Sequence, residues 1–306
     1  MSVATAYRAL NGYPHVREAI RSRVREAAAR LGYIPPAAAR LGQVAVLVNP
    51  LADASLSFYR SKVLGYLAVK CGERGLGMEV VFADHLEPLE EHFLRVALIF
   101  QSTFDHTVLK AYPGTTVLSL NSGHRGFSGV ATDEPQAVRL GLDYLCKMGH
   151  RRIAVAIPTD AGGPVIQARL AAYRAFCQET GLAYRKVVTI LPQTQGDGEW
   201  LEELRKGKGA QAIFALGEDM LLTMHRDLHR RGVKIPQELS VLSFENDAAP
   251  FLAPAVTTVV QDIPSLVQQA LDMVQALLEG RKLPHRGVSH VPATLAVRDS
   301  VRCITE

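Results

Sequence analysis

Cysteine is scarce and scattered in this 306-residue chain: Cys71, Cys146, Cys177 and Cys303 are the four, and no two form a C-x-x-C pair. That spacing argues against a zinc ribbon and against a disulfide-stapled scaffold. No apolar run approaches the ~20 residues that a membrane-crossing helix needs. The opening MSVATAYRALNG lacks a basic stretch followed by an apolar core, so it does not read as a secretory signal. Enzyme signatures are missing as well: there is no G-x-G-x-x-G after a strand, no Walker loop and no G-x-S-x-G elbow. These absences lead us to expect a cytoplasmic, non-enzymatic protein without cofactor or metal. What is present is ordinary globular material, 48% hydrophobic and 21% charged, long enough for about two domains and a small appendage.

A net excess of positive charge is missing from most of the chain. Residues 1–42 hold Arg8, Arg17, Arg21, Arg23, Arg25, Arg30 and Arg40 against Glu18 and Glu26. The remainder carries 27 basic and 28 acidic residues, so the net charge of +4 comes from the N-terminal segment. Such asymmetry reads as a nucleic-acid-facing end on a near-neutral body, or as a solvated arginine-rich helix; charge alone leaves both open.

From Gln43 onward, short apolar runs alternate with longer amphipathic ones. Strands are predicted over 44–48, 78–82, 96–100, 116–120, 153–157, 187–191, 212–215 and 240–244. Helices are predicted over 58–74, 135–148, 165–180, 219–231 and 265–278. Apolar strands alternating with helices imply parallel sheets covered on both faces. Eight such units either close one barrel or form two doubly wound sheets. A break at Gly149-His150-Arg151-Arg152 supports two lobes, with a cleft at the carboxyl ends of their strands. Ahead of the body, residues 2–10 read as a short helix ended by Asn11-Gly12. Residues 16–31 read as a second, with Ile20, Val24, Ala27 and Leu31 on one apolar stripe. Pro35-Pro36 marks a joint. Two small helices cannot make a core alone.

Residues along nearly the whole chain resemble one family. The segment Ser2-Val3-Ala4-Thr5-Ala6-Tyr7-Arg8-Ala9-Leu10-Asn11-Gly12 is similar to the recognition helix of the lactose/galactose-repressor (LacI/GalR) transcription factors. Val16-Arg17-Glu18, Leu31-Gly32-Tyr33-Ile34-Pro35, the Leu145–Ala154 stretch, Ala168–Arg174, Ile235–Val241 and Pro254–Val259 extend the likeness. The resemblance implies an α/β protein of two doubly wound parallel-sheet lobes, like a type I periplasmic binding protein, preceded by a partial helix-turn-helix headpiece and a hinge. The expected division is 1–34 headpiece, 35–42 hinge, 43–149 plus 262–284 first lobe, and 150–261 plus 285–306 second lobe. It also implies a homodimer or tetramer on a palindromic operator, acting as a repressor.

In a helix-turn-helix the second helix enters the major groove. The resemblance therefore makes Val3, Ala4 and Arg8 base readers, with Arg8 able to pair bidentately with guanine. Ser2 and Thr5 would hold phosphates, and Asn11 belongs to the same segment; Tyr7 replaces a usual serine, which puts its phosphate role in question. Leu41 is either a minor-groove wedge or a residue packed on the body. The family's first headpiece helix has no counterpart before Met1. The expectation is a mis-assigned start and a longer natural protein; the alternative is a true truncation that no longer binds DNA well, leaving a cytoplasmic small-molecule binding protein.

For the cleft, the resemblance implies a small-molecule effector, a sugar or sugar derivative. Arg169 matches the arginine that grips it. Phe58 and Tyr59 sit where the family places stacking aromatics, and Asn121, Glu218, Glu245 and Gln261 occupy its polar positions. Glu218 and Glu245 replace aspartates, so the pocket is expected to be smaller or more acidic than usual. His225 and His229 share a helix face, but a metalloprotease would need glutamate where Arg226 stands. A solute-binding protein is the rival reading; it needs export and has no use for Arg8 on a helix at residues 2–10.

Overall fold

Short valine- and alanine-rich runs form strands here because each is covered on both faces. In β1 (Gln43–Val48), Val44 through Val48 are all buried. The computed structural model describes residues 1–10, 16–33, 42–49, 58–100, 104–122, 124, 126–158, 163–183, 186–190, 199–207, 209–244, 247–283 and 287–304. The side chains of Ala4 and Phe58 are outside that description.

Two helices open the chain, α1 (Val3–Leu10) and α2 (Glu18–Leu31). Ala9 of α1 and Val24 and Ala28 of α2 are buried. The expected stripe runs true at Val24 but ends differently: Ala28 replaces Ala27 inside, and Leu31 is 82% exposed. The reason is length. At 1.5 Å per residue, the eight residues of α1 cannot cover the last turn of the fourteen-residue α2. The hinge predicted at 35–42 lies outside the described residues except for Gly42.

The body holds α3 (Phe58–Glu73), β2 (Gly77–Phe82), α4 (Pro88–Glu91), β3 (Val96–Ile99), β4 (Thr116–Leu120), β5 (Gly129–Thr132), α5 (Glu134–Lys147) and β6 (Ile153–Pro158). It continues with α6 (Pro164–Thr180), β7 (Val187–Ile190), α7 (Glu199–Arg205), β8 (Ala212–Ala215), α8 (Leu221–Arg230) and β9 (Ser240–Phe244). The last elements are β10 (Thr257–Val260), α9 (Ile263–Leu278), β11 (Val288–Val291) and β12 (Thr294–Ala296). One sheet runs β11-β5-β4-β3-β1-β2, all parallel. The other runs β12-β10-β9-β8-β6-β7, with β12 antiparallel to β10. Each sheet has an apolar cluster on each face, so each lobe is a three-layer sandwich.

Two segments change lobe relative to expectation. Helix α5 belongs to the second lobe, since Ala137, Val138, Leu142 and Leu145 pack with Ile153 and Phe214. Gly141 lets it lie close, because a Cβ there would stand 2.8 Å from the Phe214 ring. The crossing is therefore at Asp133, ahead of the Gly149-His150 break. Strand β11 pairs with β5 and completes the first sheet, so the chain returns to the second lobe after Val291 and not at 285. Three crossings link the lobes: at 133, at 261–262 and at 292–293.

Candidate functional site

The cleft is built where strand ends of both sheets meet these crossings. Asp133 caps α5, accepting the Gln136 N–H at 3.0 Å, and its neighbour Glu134 opens the helix. Arg169, on α6, reaches that carboxylate twice: Nε donates to Oε2 at 2.6 Å and Nη2 to Oε1 at 3.2 Å. Nη1 donates to the Leu216 carbonyl at 2.8 Å and lies 3.5 Å from Glu218 Oε2. The guanidinium stands 3.5 Å from the centroid of the Phe244 ring, a favourable cation–π arrangement. Arg169 is 2% exposed, so both edges and one face of its fork are spent on the protein.

Across the cleft, Tyr59 on α3 accepts a hydrogen bond from Asn121 Nδ2 at 2.8 Å. Asn121 follows β4 at φ +53°, in the left-handed region asparagine tolerates. Its Oδ1 accepts the Thr132 N–H at 2.7 Å, and Gln261 Nε2 donates to Thr132 Oγ1 at 2.9 Å. Burial pushes the Tyr59 phenol above its ordinary range. The Asn121 bond opposes that, the Glu218 and Glu134 carboxylates add to it, and Arg169 opposes it. Burial likewise raises Glu134, against the pull of Arg169. The lobes touch: α3 lies against the 3-10 turn Glu218–Met220, and Lys62 Nζ bonds Asp247 Oδ1 at 2.6 Å. A cavity of about 1300 Å³ opens beside the cluster, lined by Ser119, Asn121, Thr132, Glu134, Gln167 and Lys282 among others.

Tyr59, Arg169 and Glu218 thus meet at one place, with Asn121 and Gln261 behind Tyr59 and Thr132. Glu245 lies outside the described residues, and so do Asn11 and Leu41. Sequence reasoning does not reach Glu134 or Phe244. Glu134 follows a capping aspartate and precedes Pro135, so in sequence it reads as an ordinary first-turn carboxylate. Nothing local says that α6 will aim an arginine at it.

At the other end of the chain, Ser2 caps α1: its Oγ accepts the Thr5 N–H at 3.2 Å and bonds Thr5 Oγ1 at 2.8 Å. Val3 is 87% exposed, and Tyr7 and Arg8 also face outward, while Ala9 turns inward. Arg25 of α2 pairs with Glu91 of the first lobe at 3.2 Å. The two histidines of α8 form no cluster: His225 bonds the Ala253 carbonyl, and Arg226 pairs with Asp227. Among the described residues, no group of three His, Cys, Asp or Glu side chains could hold a metal ion, and no helix is long and apolar enough to cross a membrane.

Residues 142–301 match the periplasmic binding protein-like domain family. Over 307 residues the chain is 26% identical to the HTH-type transcriptional regulator GalR of Escherichia coli K12, covering 93% of this chain and 88% of that one. Among solved structures it is similar to the lac repressor dimer bound to operator and the anti-inducer ONPF, with TM-score 0.72, 19% identity and 99% and 96% of the two chains covered. It is also similar to a regulator from Enterococcus faecium with bound ribose, with TM-score 0.73, 20% identity and 86% and 100% covered.

Proposed function

The chain belongs to the LacI/GalR family of transcriptional regulators, with their periplasmic-binding-protein-like body, and from that premise we propose that it binds a palindromic operator as a homodimer and releases or tightens its grip when a sugar-class effector enters the cleft between the lobes. The observation that carries the DNA reading is the outward face of α1, where Val3, Tyr7 and Arg8 project from a helix whose Ala9 is held inside against α2. An arginine there reads guanine, Ser2 and Thr5 at the helix start suit a phosphate, and the arginines of α2 add sequence-independent attraction. Exposed Leu222 and Phe251 in the second lobe, with Val69, Val80 and Phe82 in the first, supply apolar surface for a second copy. Tyr59, Asn121, Arg169, Glu218 and Gln261 form the effector side. An effector that prefers one lobe angle shifts that equilibrium by its difference in affinity, and the hinges carry the change to the headpieces.

The test is binding to labelled DNA from beside the protein's own gene, followed by fluorescence anisotropy. Specific binding should weaken steeply with salt, as counterion release requires. Arg8→Ala should cost ~1–3 kcal/mol, roughly 5- to 150-fold, on the specific site and little on random DNA. Salt-independent or absent binding, with Arg8→Ala unchanged, would leave a small-molecule binding protein in its place.

A further inference from the structure

We propose that the cavity beside Arg169 takes a sugar derivative bearing an anionic group, a carboxylate or a phosphate, and that Lys282 and His290 on the β11 side of its wall hold that anion. This rests on the reading of the cleft as the effector site.

The wall of the cavity comes from both lobes. Strand alternation sets the first-lobe side. Leu118 on β4, Val130 on β5 and Val291 on β11 turn into one apolar cluster. Ser119, Ala131, Val288 and His290 therefore lie on the opposite face, with Val288 in register beside Gly129 and His290 beside Ala131. Under β1 and β3 that face is covered by a second apolar cluster, which reaches Val117 of β4. At the β5–β11 edge the cavity takes its place. The second-lobe side is α6. Pro164, Gln167, Ala168 and Ala171 line the cavity at the spacing of one helix face, while Leu170, Tyr173 and Phe176 turn into their own lobe. Three of those four lining side chains are small, so the lobes leave about 1300 Å³ between them. An ordinary small-molecule pocket has roughly 300–1,000 Å³. The space therefore admits a sugar with a further group attached.

Charge selects the attached group. Among the described residues, the ionisable side chains of the wall are Glu134, Lys282, His124 and His290. Glu134 is matched within the protein, since Arg169 donates to both of its oxygens. Arg169 itself is a poor grip for a ligand anion: Nε, Nη1 and Nη2 are all engaged, and the residue is 2% exposed. An anion that reached it would have to displace Glu134 from a buried bidentate pair. His124 is buried, with its ring 5.0 Å from that of His106. Lys282 and His290 stand differently. Both are exposed, and among the described residues neither side chain has an ion pair or hydrogen bond. Lys282 brings a full charge and three donors on a flexible stem, and His290 a ring donor. An anion entering there gains charge-assisted hydrogen bonds and breaks none. The buried Asn121 and Glu134 share the same wall and offer partners to the hydroxyls of the ring.

The experiment measures calorimetric affinity and melting temperature of the full chain with matched sets of sugars at millimolar concentration. The sets are glucose, glucuronate and glucose 6-phosphate; galactose, galacturonate and galactose 6-phosphate; and ribose with ribose 5-phosphate. Acetate and inorganic phosphate form a separate arm. An anionic sugar should bind, and its neutral parent should bind about ten- to hundredfold more weakly. Which member binds tells carboxylate from phosphate. Lys282→Met, at an exposed position, should melt with the parent in the absence of ligand and bring the anionic sugar down to the affinity of the neutral one. Lys282→Arg should keep most of the preference, and His290→Ala should lose part of it. Equal or tighter binding of a neutral sugar overturns the proposal and leaves the sugar-effector reading standing. A preference for the anionic sugar that survives both Lys282→Met and His290→Ala puts the anion elsewhere in the cleft and overturns it too. Acetate or phosphate binding as tightly as any anionic sugar assigns a bare anion site and overturns it likewise. Silence from the whole panel overturns the proposal and counts against the sugar-effector reading as well.

Discussion

His150 is fully buried where α5 gives way to the first strand of the second lobe, and its ring holds the Arg302 carbonyl at 3.1 Å through Nε2. Burial pushes its pKa below the ordinary 6.5; the carbonyl bond opposes that and the Arg302 charge reinforces it. Between the lowered folded value and the unfolded one, the folded protein favours the neutral ring while the unfolded chain protonates it. The contribution is present above the unfolded value and is lost as pH falls from about 6.5 towards the lower folded value. Urea midpoints should drop across that window, and His150→Gln should flatten the drop. His225, lowered by burial in the same direction, contributes a slope of its own that the His150 variant retains. A parent and variant with identical pH profiles would remove His150 from this role.

Helix α5 shows what an element's sequence says and where it stops. The apolar spacing of 135–148 announces a helix with one buried face, yet it cannot say which sheet that face meets. Contact with Phe214 and Leu242 at Gly141 makes that choice. Gly141→Ala should cost ~1–3 kcal/mol in urea unfolding through overpacking, far from any ligand; a neutral result would mean that the helix can back away. The eight predicted strands all form, because each is an apolar run bounded by turn residues. The four others, β5, β10, β11 and β12, are three or four residues long. They sit where the chain crosses between lobes, where a short mixed run looks like a loop until its partner strand is known. The site divides the same way. Tyr59, Asn121, Arg169, Glu218 and Gln261 are legible through their likeness to a family motif. Glu134 is not, since its role arises from a contact 35 residues away in the chain.

At the scale of the whole molecule, exposed apolar side chains occur on the N-terminal helices and on both lobes. Phe251 is 87% exposed, on a one-turn helix right after the cleft segment ending in β9. If a second copy covers it, Phe251→Asp should weaken dimerisation by ~2 kcal/mol or more, about 30-fold, as expected of a central aromatic anchor. Sedimentation velocity at micromolar concentration would show the shift to monomer; an unchanged dimer would move the interface elsewhere. The lobes themselves are not independent beads. With three crossings, at 133, 261–262 and 292–293, and with Ser300 tied back to Val241 and Thr257, each lobe is stitched from separated stretches of chain. That interleaving has a consequence for the order of synthesis. The first sheet lacks its edge strand until residue 291 has been made, and the second until residue 296. On the ribosome an early start therefore gives the first lobe little lead, because its sheet is completed only just before that of the second lobe.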